Sequence, residues 1–232
     1  TVDITVGSAC PDQEKPAVKR LLALLMFAVL ILPVAQVPGA AAKNNEWTDS
    51  AFSALMDEIQ ASEPLVGPES FELAHDPSAV AFHRLYAQTA DFLLTLEITN
   101  PYDGDRNPFD FGIRFRAHGD FLDPTFMQIS VDSHGVWWLE SGTQSEYRSA
   151  DAALLDSGRY HDLDTSEDGS NTVAVYAEGN QVVIAINGEV ISAVEAPFGD
   201  LGDVMICTGI YDDNWQRDAV TGLEDITVWS LD

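Results

Sequence analysis

The sequence predicts an all-β sandwich of two antiparallel sheets, preceded by a short helix and an N-terminal apolar segment. Three observations carry the prediction of the sandwich. Apolar and polar residues alternate with period two from residue 69 onward, as they do in strands that bury one face. The alternating runs are short and are separated by turn residues. No helical periodicity follows residue 68, so we expect about ten strands to pack as two layers.

The most specific local prediction is a three-strand meander. Asparagine and glycine readily adopt the positive φ that both central residues of a tight hairpin turn require. The dipeptides Gly179-Asn180 and Asn187-Gly188 each stand between two alternating runs. The three strands of the meander are therefore expected at Thr172–Glu178, Gln181–Ile186 and Glu189–Val194.

The remaining strands also predict which side chains leave the core. In the run from Phe109 to Arg116 the odd positions are apolar, so Arg114 and Arg116 are expected on the opposite, non-core face. Trp137 and Trp138 are adjacent on one strand and should point to opposite faces. The strands outside the meander are expected at Asp91–Thr99, Phe109–Arg116, Phe126–Val131, Val136–Glu140, Asp203–Tyr211 and Gly222–Leu231.

Residues 43–68 are predicted to be a spacer that contains one short helix. Thr48 or Asp49 can cap its first turn, because short polar side chains accept hydrogen bonds from the free backbone N–H groups there. The domain itself is expected at residues 69–232. The apolar residues of the helix recur at helical spacing: Phe52, Leu55, Met56 and Ile59.

Residues 1–42 are predicted to be a signal peptide or a membrane anchor. The apolar run Leu21–Leu32 follows Lys19 and Arg20 and precedes the small residues 39–42, which is the order of a secretory signal. The run is shorter than the roughly 20 residues of a spanning helix, which favours cleavage over an uncleaved anchor. Either alternative places the rest of the chain in the extracellular space or on the cell surface.

The first 17 residues fit a signal peptide poorly. They carry Asp3, Asp12 and Glu14 where a signal peptide favours basic residues. We therefore expect translation to begin at Val18, so that residues 1–17 are not part of the translated chain.

Acidic residues dominate the predicted domain. The chain has a net charge of −27, with 38 acidic against 11 basic residues. Such a surface repels nucleic acid phosphates and anionic lipid headgroups, which argues against both as partners. It also attracts cations, Ca²⁺ among them. A solvated acidic surface and one specific metal site both remain open as interpretations.

The two cysteines do not predict a disulfide scaffold. Cys10 precedes the apolar N-terminal run, so it cannot pair with Cys207 if that run is removed or spans a membrane. Cys207 lies in an apolar stretch and is expected to be a buried thiol.

Short motifs in a fixed order give the chain a family resemblance. Residues 69–232 resemble the concanavalin A-like lectin/glucanase superfamily, and in particular the laminin-G-like and pentraxin-like modules of bacterial surface proteins. The resemblance implies a jelly-roll sandwich, a fold that hosts lectins, adhesion modules and glycoside hydrolases. The motifs that carry it are Asn100-Pro101-Tyr102, Phe109–Arg116, Gly135–Leu139, Asn171-Thr172-Val173, Ile186–Glu189, Gly202-Asp203-Val204 and Glu224–Trp229.

The sequence does not predict an enzyme. Hydrolases of the resembling superfamily carry Glu-x-Asp-x-x-Glu on one strand, which aims two carboxylates at the same sugar. That spacing is absent, and the stretch Glu224–Thr227 lacks the second glutamate. We therefore expect a non-catalytic protein, with a glycoside hydrolase as the less favoured alternative.

A binding module is the favoured interpretation, with carbohydrate preferred over protein as the ligand. Aromatic side chains and arginine are the groups that a sugar site needs on an exposed face. A purely structural or protein-interaction domain of the cell surface is the alternative. Asp212 and Asp213 could hold Ca²⁺ beside an aromatic residue, and Asp103-Gly104-Asp105 is a second candidate for Ca²⁺. The candidate ligand-binding residues are Arg114, Arg116, Trp138, Tyr211 and Trp215.

Overall fold

A computed structural model of the chain describes residues 47–76, 80–120, 122–210 and 219–231. The predicted signal or anchor segment, the expected start at Val18, and residues 211–218 lie outside the described residues. The roles predicted for Tyr211, Asp212, Asp213 and Trp215 therefore stay predictions. Neither of the two helices in the described ranges is long and apolar enough to cross a membrane.

The described residues form two six-stranded antiparallel sheets, which confirms the predicted fold class. The first sheet has the order β1-β12-β3-β8-β9-β10, and the second has the order β2-β11-β4-β5-β6-β7. The consecutive strands β11 and β12 thus belong to different sheets. The bounds are α1 Asp49–Gln60, β1 Val66–Ala74, β2 Ala81–Thr89, β3 Phe92–Thr99, β4 Asp110–Gly119, β5 Pro124–Asp132, β6 Val136–Thr143, α2 Gln144–Ser149, β7 Ala153–Arg159, β8 Ser170–Glu178, β9 Gln181–Ile186, β10 Glu189–Glu195, β11 Gly202–Thr208 and β12 Val220–Ser230.

The main core lies between the two sheets. Period-two alternation sends every second side chain inward, and these residues are apolar on both sheets. Phe92 of the first sheet meets Phe115 of the second, with ring centroids 5.9 Å apart. Both side chains are fully buried, as are Leu139 and Ile184. Each such side chain contributes about 1.5–3 kcal/mol relative to an exposed one, so this layer holds the sandwich together.

The helix predicted near Thr48 is present as α1. The hydroxyl of Thr48 accepts a hydrogen bond from the N–H of Ala51 at 3.2 Å, which is the N-cap expected from the sequence. Phe52 is fully buried against the outer face of the first sheet. The carboxylate of Asp49 accepts a hydrogen bond from the N–H of Val190 in β10. The helix is therefore packed on the sandwich, and β1 begins at Val66, slightly before the expected start of the strand pattern.

The three-strand meander is confirmed as β8, β9 and β10. Asn187 and Gly188 have φ values of 50° and 81°, as the hairpin turn requires. The side-chain oxygen of Asn187 also accepts a hydrogen bond from the N–H of Thr172 at 2.8 Å. At the other turn only Gly179 has a positive φ, 53°, so the expected pair of positive values is found at Asn187-Gly188 alone. The pairing of β9 with β10 also contains a register shift between Val190 and Ser192.

The expectation of no helix after residue 68 is wrong. The six-residue helix α2 interrupts the strand pattern between β6 and β7. The hydroxyl of Thr143 accepts a hydrogen bond from the N–H of Glu146, and the Glu146 carboxylate accepts one from the N–H of Thr143. This reciprocal capping follows from the spacing Thr-x-x-Glu. The helix is too short to show helical periodicity, so only this capping pattern marks it in the sequence.

Candidate functional site

Two rows of side chains cross the outer face of the second sheet. Directly paired residues on neighbouring antiparallel strands share a face, so the strand register defines each row. Arg114 pairs with Met205 on one side and with Gln128 on the other, and Gln128 pairs with Glu140. We call this surface the Arg114 face. Its first row is Arg84, Met205, Arg114, Gln128, Glu140 and Leu154, and its second is Phe82, Cys207, Gly112, Ser130, Trp138 and Ser157.

Arg114 lies at the centre of this face and is buried, with 7% of its surface exposed. Its guanidinium carbon lies 3.4 Å from the centroid of the Phe126 ring and 4.7 Å from that of Phe82. Nε and Nη2 both donate to the side-chain oxygen of Gln128, at 3.2 and 2.9 Å. Nη1 donates to the side-chain oxygen of Gln144 at 2.8 Å. Burial lowers the pKa of Arg114, although a guanidinium keeps its proton at any physiological pH.

The polar floor beside Arg114 is fixed by internal hydrogen bonds. The side-chain N–H of Gln128 donates to the hydroxyl of Ser130 at 2.9 Å, and these residues are 3% and 1% exposed. Buried polar groups are costly unless they are paired, and here each is held by its neighbour. The floor is therefore a set of buried polar groups whose orientation is fixed by the protein itself.

Helix α2 carries two side chains to the edge of the floor. Asp123, just before β5, accepts hydrogen bonds from the N–H and the hydroxyl of Ser145 at 2.7 and 3.0 Å. These bonds lower the pKa of Asp123 and tie the start of α2 to the loop before β5. Tyr147 then stacks on Phe126 with ring centroids 4.5 Å apart. Gln144 and Tyr147 thus reach the Arg114 face from a helix that the strand pattern does not reveal.

The more accessible groups of the face surround this floor. Trp138 and Glu140 are half-buried, and Phe82 is 42% exposed. Burial raises the pKa of Glu140. Trp137 is in the main core, so the prediction that the two tryptophans point to opposite faces is confirmed.

Cys207 is the buried thiol that the sequence predicts. It is fully buried, and burial raises the pKa of its thiol to about 12, although the nearby Arg114 opposes this shift. A thiol with so high a pKa stays protonated at neutral pH and is a poor nucleophile. The residue therefore fills space beside Gly112 and takes no chemical role.

A polar groove adjoins the face where β2, β11 and β4 run together. Its volume is about 510 Å³, and Met205 of the Arg114 face forms part of its lining. Arg84 and Asp203 form an ion pair across it at 2.6 Å, and Gln88 donates to the same carboxylate. His118 is also in the lining, with its ring near Asp200. The groove extends the row of polar side chains beyond Arg114.

The prediction that Arg116 shares the exposed face with Arg114 is wrong. Arg116 has a φ of 52°, and the register between β4 and β5 shifts between Phe115 and His118. This irregularity turns the Arg116 side chain away from the Arg114 face. Its guanidinium is fully buried and donates to three carbonyls and to one carboxylate: Ala90, Gly179, Phe198 and Asp91.

The described residues contain no group of three or more side chains suited to hold a metal ion. Asp103 accepts a hydrogen bond from the N–H of Asp105 and pairs with Arg106, while Asp105 accepts one from the hydroxyl of Thr165. The second Ca²⁺ candidate is thus occupied by protein contacts. The first, Asp212 and Asp213, lies outside the described residues and stays a prediction.

The sequence analysis missed several residues of the Arg114 face. Gln128 and Ser130 lie on a strand that was predicted, and their alternation with apolar neighbours places them on the outer face. Gln144 and Tyr147 depend on α2, for which only the Thr-x-x-Glu spacing gives a signal. Phe82 lies on β2, a strand that was not individually predicted.

No protein-family model matches the chain, and no curated protein matches its sequence. Several solved structures do match its fold. "Crystal Structure of A. japonicus CB05" shares 13% identity with a TM-score of 0.50, over 77% of this chain and 27% of that one. The chain has a jelly-roll fold of two antiparallel sheets.

Two further matches have TM-scores below 0.5. The carbohydrate binding module CBM66 from Bacillus subtilis shares 17% identity with a TM-score of 0.48, over 68% of this chain and 86% of that one. The β-glucanase of Bacillus licheniformis shares 9% identity with a TM-score of 0.48, over 70% of this chain and 78% of that one. At such identities the similarity to these jelly-roll proteins concerns the fold alone.

Proposed function

We propose that this jelly-roll protein is an exported, non-catalytic carbohydrate-binding module and that the Arg114 face is its binding site. The observation that carries the proposal is the polar floor of Arg114, Gln128 and Ser130, set among the partly exposed aromatic residues Phe82 and Trp138. Sugar rings pack on aromatic side chains, and their hydroxyls need fixed hydrogen-bonding partners. This face offers both kinds of contact on one surface.

The size of the adjoining groove supports a ligand longer than one sugar. Ligand sites commonly enclose roughly 300–1,000 Å³, and the groove beside Met205 has about 510 Å³. It opens onto the same face of the sheet as Arg114. An oligosaccharide could therefore lie along the first row, with one unit at Arg114 and another between Arg84 and His118.

The contacts of the carboxylates on this face support a non-catalytic role. Glycosidases place two free carboxyl groups about 5–9.5 Å apart. Asp110 and Asp132 are directly paired on β4 and β5, but Asp110 accepts a hydrogen bond from the N–H of Ile210, and Asp132 accepts from the N–H groups of His134 and Val136. Glu140 on β6 and Asp203 on β11 are three strand spacings apart, about 14 Å, and Asp203 is engaged by Arg84.

Export is part of the proposal and rests on the sequence. The apolar run Leu21–Leu32 with its preceding basic residues supports a signal or anchor segment. The high acidic content also supports export, because such a surface keeps the protein soluble and repels nucleic acid and anionic lipid.

A glycan array probed with the protein tests the proposed site. We expect saturable binding that Phe82→Ala weakens by about tenfold, which corresponds to about 1.4 kcal/mol. Leu65→Ala is the matched control, because Leu65 is similarly exposed, at 48% against 42%, and precedes the first sheet. Silence across the array, or equal losses in both variants, would contradict the proposal and favour a structural or protein-interaction domain.

The same array run in Ca²⁺ and then in EDTA tests the role of a metal. None of the described contacts of Arg114 requires a metal ion, so we expect binding to persist in EDTA. Loss of binding in EDTA would instead implicate the predicted ligands Asp212 and Asp213.

A further inference from the structure

Arg114 is a buried cation whose charge no carboxylate of the described residues balances. Arg84, Arg106 and Arg116 each form an ion pair with an aspartate. Arg114 forms none, and it is buried, whereas the other described arginines without an ion pair, Arg148 and Arg159, are exposed. The groups that oppose the lowering of its pKa are Cys207 and Tyr147, not a carboxylate. The chain as a whole carries 38 acidic residues against 11 basic ones. An unbalanced arginine at the centre of the face is therefore unexpected.

The hydrogen bonds of Arg114 leave two of its guanidinium N–H groups without an acceptor among the described residues. A guanidinium carries five N–H donors. Three are directed at amide oxygens, two at Gln128 and one at Gln144. One N–H remains on Nη1 and one on Nη2. Two such donors on adjacent nitrogens suit the two oxygens of a planar carboxylate.

The neighbours hold the guanidinium without neutralising it. The flat contact with Phe126 at 3.4 Å fixes its plane, and the amide oxygens of Gln128 and Gln144 fix its rotation. Amide oxygens accept hydrogen bonds but carry no net charge. A buried cation without a partner is costly, and a ligand that supplies the negative charge regains that cost.

We propose that the Arg114 face selects a sugar acid, such as a uronic acid unit, whose carboxylate pairs with Arg114. This inference rests on the proposed carbohydrate-binding function and names the ligand class of the same site. The favoured source of the carboxylate is a sugar, because the half-exposed Trp138 and the adjoining polar groove suit a polyhydroxylated chain. The net charge of −27 repels an anionic ligand at long range, but salt screens that repulsion beyond about 8 Å.

One substitution would supply the negative charge opposite Arg114 from the protein itself. Gln144→Glu would place a carboxylate where an amide oxygen now accepts from Nη1 of Arg114. This variant should fold at least as stably as the parent, because it balances a buried charge. It should also compete with the carboxylate of the ligand. Gln60→Glu makes the same chemical change on the exposed end of α1, beside the other sheet, and serves as the control.

The experiment compares glycans in pairs: uronate-containing oligosaccharides and the same oligosaccharides after reduction of their carboxyl groups. We expect the protein to bind the uronate member at least tenfold more tightly. Gln144→Glu should remove that preference without lowering the melting temperature, and Gln60→Glu should keep it. A fall in melting temperature specific to Gln144→Glu would contradict an unbalanced Arg114.

The outcomes separate the inference from the proposed function. Equal or tighter binding of the reduced members would overturn the sugar-acid inference and leave carbohydrate binding intact. Binding to neither member would overturn both. Acidic peptides could also bind as tightly as the uronates, with Gln144→Glu abolishing that binding. This result would show that the carboxylate need not come from a sugar, and it would overturn the sugar as its source.

Discussion

The two sheets of the sandwich carry helices on their outer faces, and the two covered surfaces differ in chemistry. The first sheet is covered by α1, and the contact is apolar: Phe52 packs on Leu93, Tyr176 and Trp229. The second sheet meets the shorter α2, and the buried layer there is polar, with Arg114, Gln128 and Ser130 held by hydrogen bonds. One face is a second hydrophobic core, and the other is a set of oriented donors and acceptors.

The difference affects how much each covered surface contributes to the stability of the fold. Burial of apolar surface contributes directly to the free energy of unfolding. A paired buried hydrogen bond contributes only about 1 kcal/mol net, and a buried charge without a counter-charge contributes less or costs stability. The polar layer around Arg114 therefore stabilises this sheet less than an apolar layer of the same size would. Such an arrangement is what the proposed binding site would require.

The largest expected effect comes from removing the Phe52 side chain, which α1 buries against the first sheet. Phe52→Ala should lower the free energy of unfolding by about 3–5 kcal/mol, because it leaves a cavity under α1. Urea denaturation measures this loss. Ser53→Ala, on the exposed side of the same helix, should change the value by less than about 0.5 kcal/mol. A loss below about 1 kcal/mol in Phe52→Ala would mean that α1 does not seal a core.

A second test compares the buried Arg116 of β4 with the exposed Arg106 of the preceding loop. Arg116→Met should destabilise the fold by about 3 kcal/mol, because it leaves buried carbonyls and Asp91 without their donor. Arg106→Met removes an ion pair whose arginine is 80% exposed and should change stability by less than about 1 kcal/mol. Chemical denaturation compares the two. If Arg116→Met instead weakened glycan binding without loss of stability, Arg116 would belong to the recognition site after all.

Arg114 and Arg116, the two arginines of β4, mark the limit of what the sequence predicts. Alternation along β4 placed Arg114 on the outer face correctly, because the strand is regular up to that residue. The same rule failed two residues later, since the shift near Arg116 depends on contacts with turns that are distant in sequence. The local sequence pattern gives no sign that a residue other than glycine or asparagine will adopt a positive φ.

The hairpin and the helices show the same division between local and tertiary information. Asn187-Gly188 fixed its turn from two adjacent residues, so its prediction needed no other part of the chain. The contact of Gln144 with Arg114 joins residues on α2 and β4, and its geometry depends on how Asp123 anchors the helix. The assignment of β11 and β12 to different sheets likewise depends on packing rather than on their own patterns. The candidate site was therefore predictable only in part.

A third test uses the adjacent tryptophans as a matched pair. Trp138→Ala should weaken glycan binding by about tenfold, or about 1.4 kcal/mol, because its half-buried ring lies on the Arg114 face. Trp137→Ala removes the same side chain from the core side and should mainly lower stability, with binding by the folded fraction retained. Isothermal titration with an array-selected glycan and thermal melts distinguish the two. Equal binding losses by folded samples of both variants would contradict the division between the faces.

The smallest expected effect is a dependence of stability on pH at Glu140. Burial raises the pKa of Glu140, so its ionised form weakens the folded state. The stability that the protonated form contributes is fully present below the carboxyl's unfolded pKa of 4.5 and is lost as pH rises through the higher folded value. Glu140→Gln should therefore stabilise the protein at pH 7, and the difference from the parent should shrink toward pH 4. Thermal melts from pH 4 to 8 measure it. If Glu140→Gln were less stable than the parent at pH 7, the ionised Glu140 would have a favourable partner. The charges in this part of the Arg114 face would then be balanced.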